Sequence, residues 1–152
     1  MRRIRNETPA TIPELCFALA LAFYAMKAAG RQIGAVSSWG GGYWGVLRSL
    51  KTEGSQTLIQ LARSRPVSRQ RIQRIAAELG AQQLVEFREN PAHQRSKLLH
   101  LTPKGESFLN RLDTAIGKMA EKFSAETSTE QIAATIRTLE QFRACFRSGS
   151  KG

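Results

Sequence analysis

Residues 58–106 constrain the fold of this 152-residue chain more than any other stretch. Their apolar positions prescribe two short helices, a two-stranded hairpin and the start of a long helix. Residues 61–74 hold five arginines, Arg63, Arg65, Arg69, Arg71 and Arg74, and no acidic residue. Residues 57–64 read as the first helix, with Leu58, Ile59, Leu61 and Ala62 turned inward. Arg65-Pro66-Val67 is the turn, because proline disfavours helical backbone in the residue before it. Ser68 then caps a helix to about Gly80, in which Ile72, Ile75, Ala76 and Leu79 keep the i, i+3, i+4, i+7 spacing of one buried stripe. The opposite face is Gln70, Gln73, Arg74 and Ala77, with Ser68, Arg69 and Arg71 near the N-terminal end. Residues 84–89 and 97–101 are strand-like runs bracketing a proline-containing tip at 90–96. A helix-turn-helix followed by a basic hairpin is a device for laying one helix in the DNA major groove while a wing touches the backbone beside it.

Charge over the whole chain points the same way. There are 23 basic and 12 acidic residues, a net charge of +11, which implies an anionic partner, either nucleic acid or an acidic membrane surface. A membrane-surface protein would spread its arginines along an amphipathic helix beside bulky apolar groups; here they cluster around a tight turn, so duplex DNA is expected and a membrane is not. The chain is long enough to bury a core without disulfides or metals. Cys16 and Cys145 stand far apart, with no CxxC or Cys/His cluster, which argues against a disulfide framework or zinc site and for a reducing cytoplasm, with the protein on the nucleoid. His93 and His100 read as surface or packing residues. No HExxH, GxSxG or phosphate-binding glycine loop is present, and Gly40-Gly41-Gly42 lacks the Lys-Ser/Thr of such a loop. Neither an enzyme, a cofactor nor a metal is expected.

The flanking segments are helical. Thr11-Ile12-Pro13-Glu14 is a capping-box start, followed by Leu15, Leu19, Ala22, Phe23 and Met26 at helical spacing, to about Gln32. Arg2, Arg3 and Arg5 ahead of the uncharged run 15–26 superficially imitate a secretion signal. Glu7, Pro9, Pro13 and Glu14 intervene, however, and twelve uncharged residues fall short of the roughly 20 a spanning helix needs. The expectation is a buried helix of the folded protein. Ser37-Ser38-Trp39-Gly40-Gly41-Gly42 is a turn, residues 43–52 a helix with Val46, Leu47 and Leu50 inward, and Glu53-Gly54-Ser55 its end. Thr102-Pro103 begins a helix carrying Phe108, Leu112, Ile116, Met119 and Phe123, and Ser128-Thr129-Glu130-Gln131 caps a last helix with Ile132, Ile136, Leu139 and Phe146. The stripes at both chain ends look like surface wanting a partner helix, which favours a dimer. Phe17, Phe23, Trp39, Tyr43 and Trp44 form a candidate effector pocket, beside the plainer reading that such residues are core.

In the order of these elements and in several phrases, the sequence resembles the MarR (multiple antibiotic resistance regulator) family of winged-helix transcription factors. The likeness is carried by Leu61-Ala62, Val67-Ser68, Ile72, Ile75, Leu79, Leu84-Val85, Arg95-Ser96-Lys97-Leu98 and, most specifically, Leu101-Thr102-Pro103-Lys104-Gly105. It covers about residues 15–146. It implies a mostly α fold with a small β-hairpin wing, a winged helix-turn-helix at 43–102 flanked by dimerisation helices at 12–38 and 103–147, all within a single domain over 1–152. It also implies a homodimer straddling a palindromic operator, acting as a repressor released by a small-molecule or oxidant effector. Asn90 and Ala92 stand where the family usually has an acidic residue and an arginine, so Arg95 or Gln94 is expected at the wing tip. The DNA-binding set is then Arg63, Arg65, Ser68, Arg69, Gln70, Arg71, Gln73, Arg74, Arg95 and Lys97. Leu15-Cys16-Phe17-Ala18-Leu19 resembles the branch of the family that senses organic hydroperoxides through an oxidised cysteine, which makes Cys16, with Cys145, the alternative trigger. That branch supplies tyrosines where this chain has Ala20, Gly30 and Gly40, and an apolar helix offers a thiolate little stabilisation. The expectation is that Cys16 packs as a small hydrophobe.

Overall fold

The computed structural model describes residues 10–34, 42–64, 67–93 and 95–148. The helices are α1 (Ile12–Gln32), α2 (Tyr43–Glu53), α3 (Leu58–Arg63), α4 (Arg69–Ala81), α5 (Pro103–Met119), α6 (Glu121–Glu126) and α7 (Thr129–Ser148), and the strands are β1 (Gln56–Thr57), β2 (Val85–Arg88) and β3 (Leu98–Leu101). The helix starts are written in the sequence. Thr11 with Glu14, and Thr57 with Gln60, form capping boxes at α1 and α3, and Ser128 with Gln131 exchanges the same pair of bonds at α7. Each box satisfies two N–H groups that the first helical turn leaves without an intrahelical partner.

The sheet is antiparallel in the order β1-β3-β2, and so has one strand more than the expected hairpin. Gln56 and Thr57 pair with Leu99 and Leu98 on the edge of β3 opposite β2. Two residues, the second of them the α3 cap, are too few to show an alternating pattern, which is why β1 was illegible in sequence.

The core lies in the winged unit. Val46, Leu47 and Leu50 of α2, Leu61 of α3, Ile72, Ile75, Ala76 and Leu79 of α4, Leu99 of β3 and Leu109 of α5 are all buried in one cluster, together with Leu84 and Val85. The stripe expected on α4 is the stripe that is buried. At full burial each leucine or isoleucine contributes about 1.5–3 kcal/mol, so this cluster is the main source of packing for the helix-turn-helix. The chain divides into compact units at residues 1–112 and 113–152. The boundary falls inside α5 because its first turns place Gly105, Leu109 and Leu112 among the buried residues.

Two expectations change. The helix α1 has no buried residue: Phe17, Leu21, Phe23, Tyr24 and Met26 are all more than half exposed. Among the described residues these side chains find little cover, while Leu15, Cys16 and Leu19 are half-buried rather than enclosed. The helix expected to run from Pro103 through Phe123 stops at Met119, and Phe123, 62% exposed, lies on α6. The backbone bonds Ala120 N–H to Ile116 and Ser124 N–H to Ala120 continue across the junction, at 3.0 and 2.8 Å. No proline marks the break in the sequence.

Candidate nucleic-acid interface

The recognition surface is built outward from the α4 stripe. Burying Ile72, Ile75, Ala76 and Leu79 leaves Arg69, Gln70, Gln73, Arg74 and Ala77 exposed on the other side, with Arg71 half-buried. At the helix start the Ser68 hydroxyl accepts from Arg71 N–H at 3.2 Å. Arg63 is exposed at the end of α3. Arg65, Gln94 and Trp39 lie outside the described residues.

The wing brings two further cations to the same side. Arg95 and Lys97 are exposed, and Lys97 Nζ stands 3.6 Å from Glu89 Oε1, an exposed pair too weak to hold the lysine against a phosphate. The tip itself is shaped by Asn90. Its side-chain oxygen accepts from Ala92 N–H at 3.1 Å, its carbonyl accepts from His93 N–H at 3.1 Å, and its side chain is enclosed. Asparagine suits this role because its short amide mimics a backbone turn. Between α4 and the wing runs an open groove of about 420 Å³, lined by Arg69 and Gln73 from α4, Arg95 and Lys97 from the wing, and Phe87 of β2.

Behind α4 sits a contact that the sequence did not disclose. Tyr43, the first residue of α2, is buried, donates its hydroxyl to Glu78 Oε2 and accepts from Gln82 Nε2 at 3.3 Å. Burial, then the Glu78 hydrogen bond and its negative charge, push the phenol up to about 12, against a smaller opposing effect of Gln82. A phenol whose pKa is raised by folding stabilises the fold fully below about pH 10 and loses that contribution as pH rises through about 12. In thermal unfolding, Tyr43→Phe is expected to lower stability at pH 7 by about 1.5 kcal/mol, the order for a hydrogen bond to a charged group. It should also flatten the decline between about pH 10 and 12; an unchanged alkaline decline would mean that another group titrates there.

The remaining singled-out residues are dispersed. Tyr43 belongs to the core and Trp44 packs half-buried against it, while Phe17 and Phe23 are exposed on α1, on faces about 120° apart by helix geometry. Cys16 lies on α1 and Cys145, exposed, on α7. Among the described residues no three His, Cys, Asp or Glu side chains gather to hold a metal. Sequence reasoning missed Phe87 and the Tyr43–Glu78–Gln82 cluster. Their only signals were a bulky aromatic in a short strand and a tyrosine beginning a helix.

The comparisons with known proteins fall on this surface. A family model described as MarR family matches residues 40–96, from just before α2 to the wing. The MarR-family regulator SP03579, at 25% identity and a TM-score of 0.64, covers 88% of this chain and 86% of its own. Over these residues the winged unit matches the MarR family of transcription regulators. Apo MarR from E. coli superposes with a TM-score of 0.68 at 15% identity, over 90% of this chain and 98% of its own. Bordetella bronchiseptica BpsR, whose DNA binding is regulated by 6-hydroxynicotinic acid, does so at 0.64 and 17%, over 86% and 98%. No match was found among curated protein sequences. MarR-family members regulate transcription and are not enzymes. The phrase Leu101-Thr102-Pro103-Lys104-Gly105 now has a physical content. Thr102 N–H donates to Leu84 O at 3.2 Å, its hydroxyl donates to Gln83 O at 2.8 Å and accepts from Gly105 N–H at 3.0 Å. The phrase thereby docks α5 onto the root of the wing.

Proposed function

We propose that this MarR-family regulator works as a homodimer that binds a palindromic operator, represses transcription from the nucleoid and is released by a small-molecule effector. The observation that carries the DNA reading is the exposed face of α4. Gln70, Gln73 and Arg74 stand opposite its buried stripe with cations on both flanks. Glutamine matches the edge of adenine and arginine that of guanine, while Arg63, Arg65, Arg95 and Lys97 serve phosphates. Ser68, Arg69 and Arg71 sit at the helix end that first meets the duplex. The dimer is supported by α1, whose Phe17, Leu21, Phe23, Tyr24 and Met26 are left exposed among the described residues, as on a helix that packs against a second copy. Residues 12–38 and 103–147 are assigned to that interface.

A spanning role for α1 fits less well. The helix is 21 residues long, and an 18-residue stretch of it has a mean hydropathy of 1.5, enough by length and composition to cross a bilayer. Its uncharged part, however, is only the run 15–26, between Glu14 and Lys27. The effector reading rests on likeness to regulators such as BpsR.

Selection of bound duplexes from a random pool, followed by sedimentation, tests the proposal. The expected result is an inverted repeat with half-sites about 10 bp apart, bound by two chains. A chain that sediments as a monomer both free and on DNA would refute the dimer, and selection that returns no sequence preference would refute the operator.

A further inference from the structure

The groove between α4 and the wing is lined by cations and by apolar side chains, and phosphate binding explains only the cations. Phe87 is 46% exposed, although it lies on the sheet face that packs inward. In β2, Val85 and Phe87 share one face, Val85 is buried, and Phe87 pairs across the ladder with the fully buried Leu99. Glu86 and Arg88 occupy the other face and pair with each other at 2.6 Å. The inward face therefore outruns the helices that cover it. The Phe87 ring is left to line the groove together with Leu58, Ile59 and Ala77. Phe87, Leu58, Ile59 and Ala77 together offer apolar surface that a partner with an apolar face would take out of water.

A DNA strand has the matching chemistry. Along its backbone, anionic phosphates alternate with deoxyribose rings whose C–H faces are apolar. When α4 enters the major groove and the wing lies alongside, the segment between them is sugar–phosphate backbone. We infer that one strand of the duplex seats in this groove, with Arg69, Arg95 and Lys97 on successive phosphates and Phe87 packed against the deoxyribose between them. The inference rests on the DNA-binding reading above and adds to it a sequence-independent apolar contact. Phe87 contributes affinity without releasing counterions, in contrast to every cation around it.

The test uses the full chain and a mixed-sequence duplex, since a sugar contact needs no operator. Phe87→Thr keeps a β-branched strand former in β2 and is expected to weaken binding about tenfold at every salt concentration. The slope of log affinity against log salt should stay that of the wild type. Unchanged affinity in a folded variant, or a slope lowered as Lys97→Ala lowers it, would overturn the inference. So would loss of self-association without loss of DNA affinity, which would make the groove a contact between copies. If Phe87→Thr does not fold, Phe87→Trp decides: its added indole emission should change when duplex is bound, and an added signal indifferent to DNA would refute the contact. Failure of the wild type itself to bind duplex at low salt would remove the DNA reading and the inference together.

Discussion

Gly105→Ala is expected to destabilise the protein by about 3 kcal/mol, measured as a lower urea midpoint at unchanged slope. Within an open helix the same change would stabilise by up to about 1 kcal/mol, because alanine is the better helix former. Here a Cβ would overlap the Leu84 carbonyl oxygen outright and come within 2.8 Å of Leu101 Cδ1. Leu84 cannot retreat. Its carbonyl accepts from Thr102 N–H at 3.2 Å and its N–H donates to Leu79 O at 2.9 Å, so backbone on both sides of the wing root is committed. Gly117 supplies the control within α5: nothing lies within 4 Å of its added Cβ, and Gly117→Ala is expected to stabilise slightly. Equal effects at the two positions would show that the close approach at Gly105 yields without cost. Against a typical total stability of about 5–15 kcal/mol, the Gly105 change alone depletes much of the folded population at elevated temperature.

Raising salt from about 50 to 200 mM is expected to cut the affinity of the proposed dimer for duplex DNA by about a thousandfold or more. Arg63, Arg65, Arg95 and Lys97, twice over in a dimer, fall in the range of phosphate contacts for which counterion release has that effect. Single variants should divide into two kinds. Lys97→Ala should weaken all sequences alike and lower the salt slope by about 0.9. Arg74→Ala should leave the slope nearly intact and relax the preferred sequence at one base, a discrimination of about 1–3 kcal/mol. A changed consensus with Lys97→Ala would place the groove-facing surface of α4 and the wing wrongly.

What could be read from sequence follows from how local each signal is. The caps at Thr11, Ser68 and Ser128 and the α4 stripe are contained within one or two helical turns, and they stand in the structure where the sequence put them. Strand β1 was invisible because its two residues are specified by β3, more than forty positions away. Tyr43 is a similar case. Its partner Glu78 lies 35 residues on, and a tyrosine at a helix start looks the same whether it is buried or exposed. The burial of α1 was misjudged for a different reason. Periodicity reports that a helix has an apolar face, and it is silent on which chain covers that face. Phe87 combines both difficulties, since its exposure depends on where α3 and α4 stop covering the sheet.

The confinement of the core to the winged unit has a consequence for how the molecule comes apart. Among the described residues none after Leu112 is buried, and none in α1 is. The order of those segments in the proposed dimer is thus a property of protein concentration, whereas the order of α2 to β3 is a property of the single chain. Dilution and denaturant are then different perturbations: the first loosens the ends while each reading head persists, and the second dissolves the head itself. A head that outlives its pairing still meets phosphate and base with one half-site's worth of contacts. In the proposed dimer, the step from weak, indiscriminate DNA contact to operator occupancy would then be governed by how many copies of the chain the cell keeps.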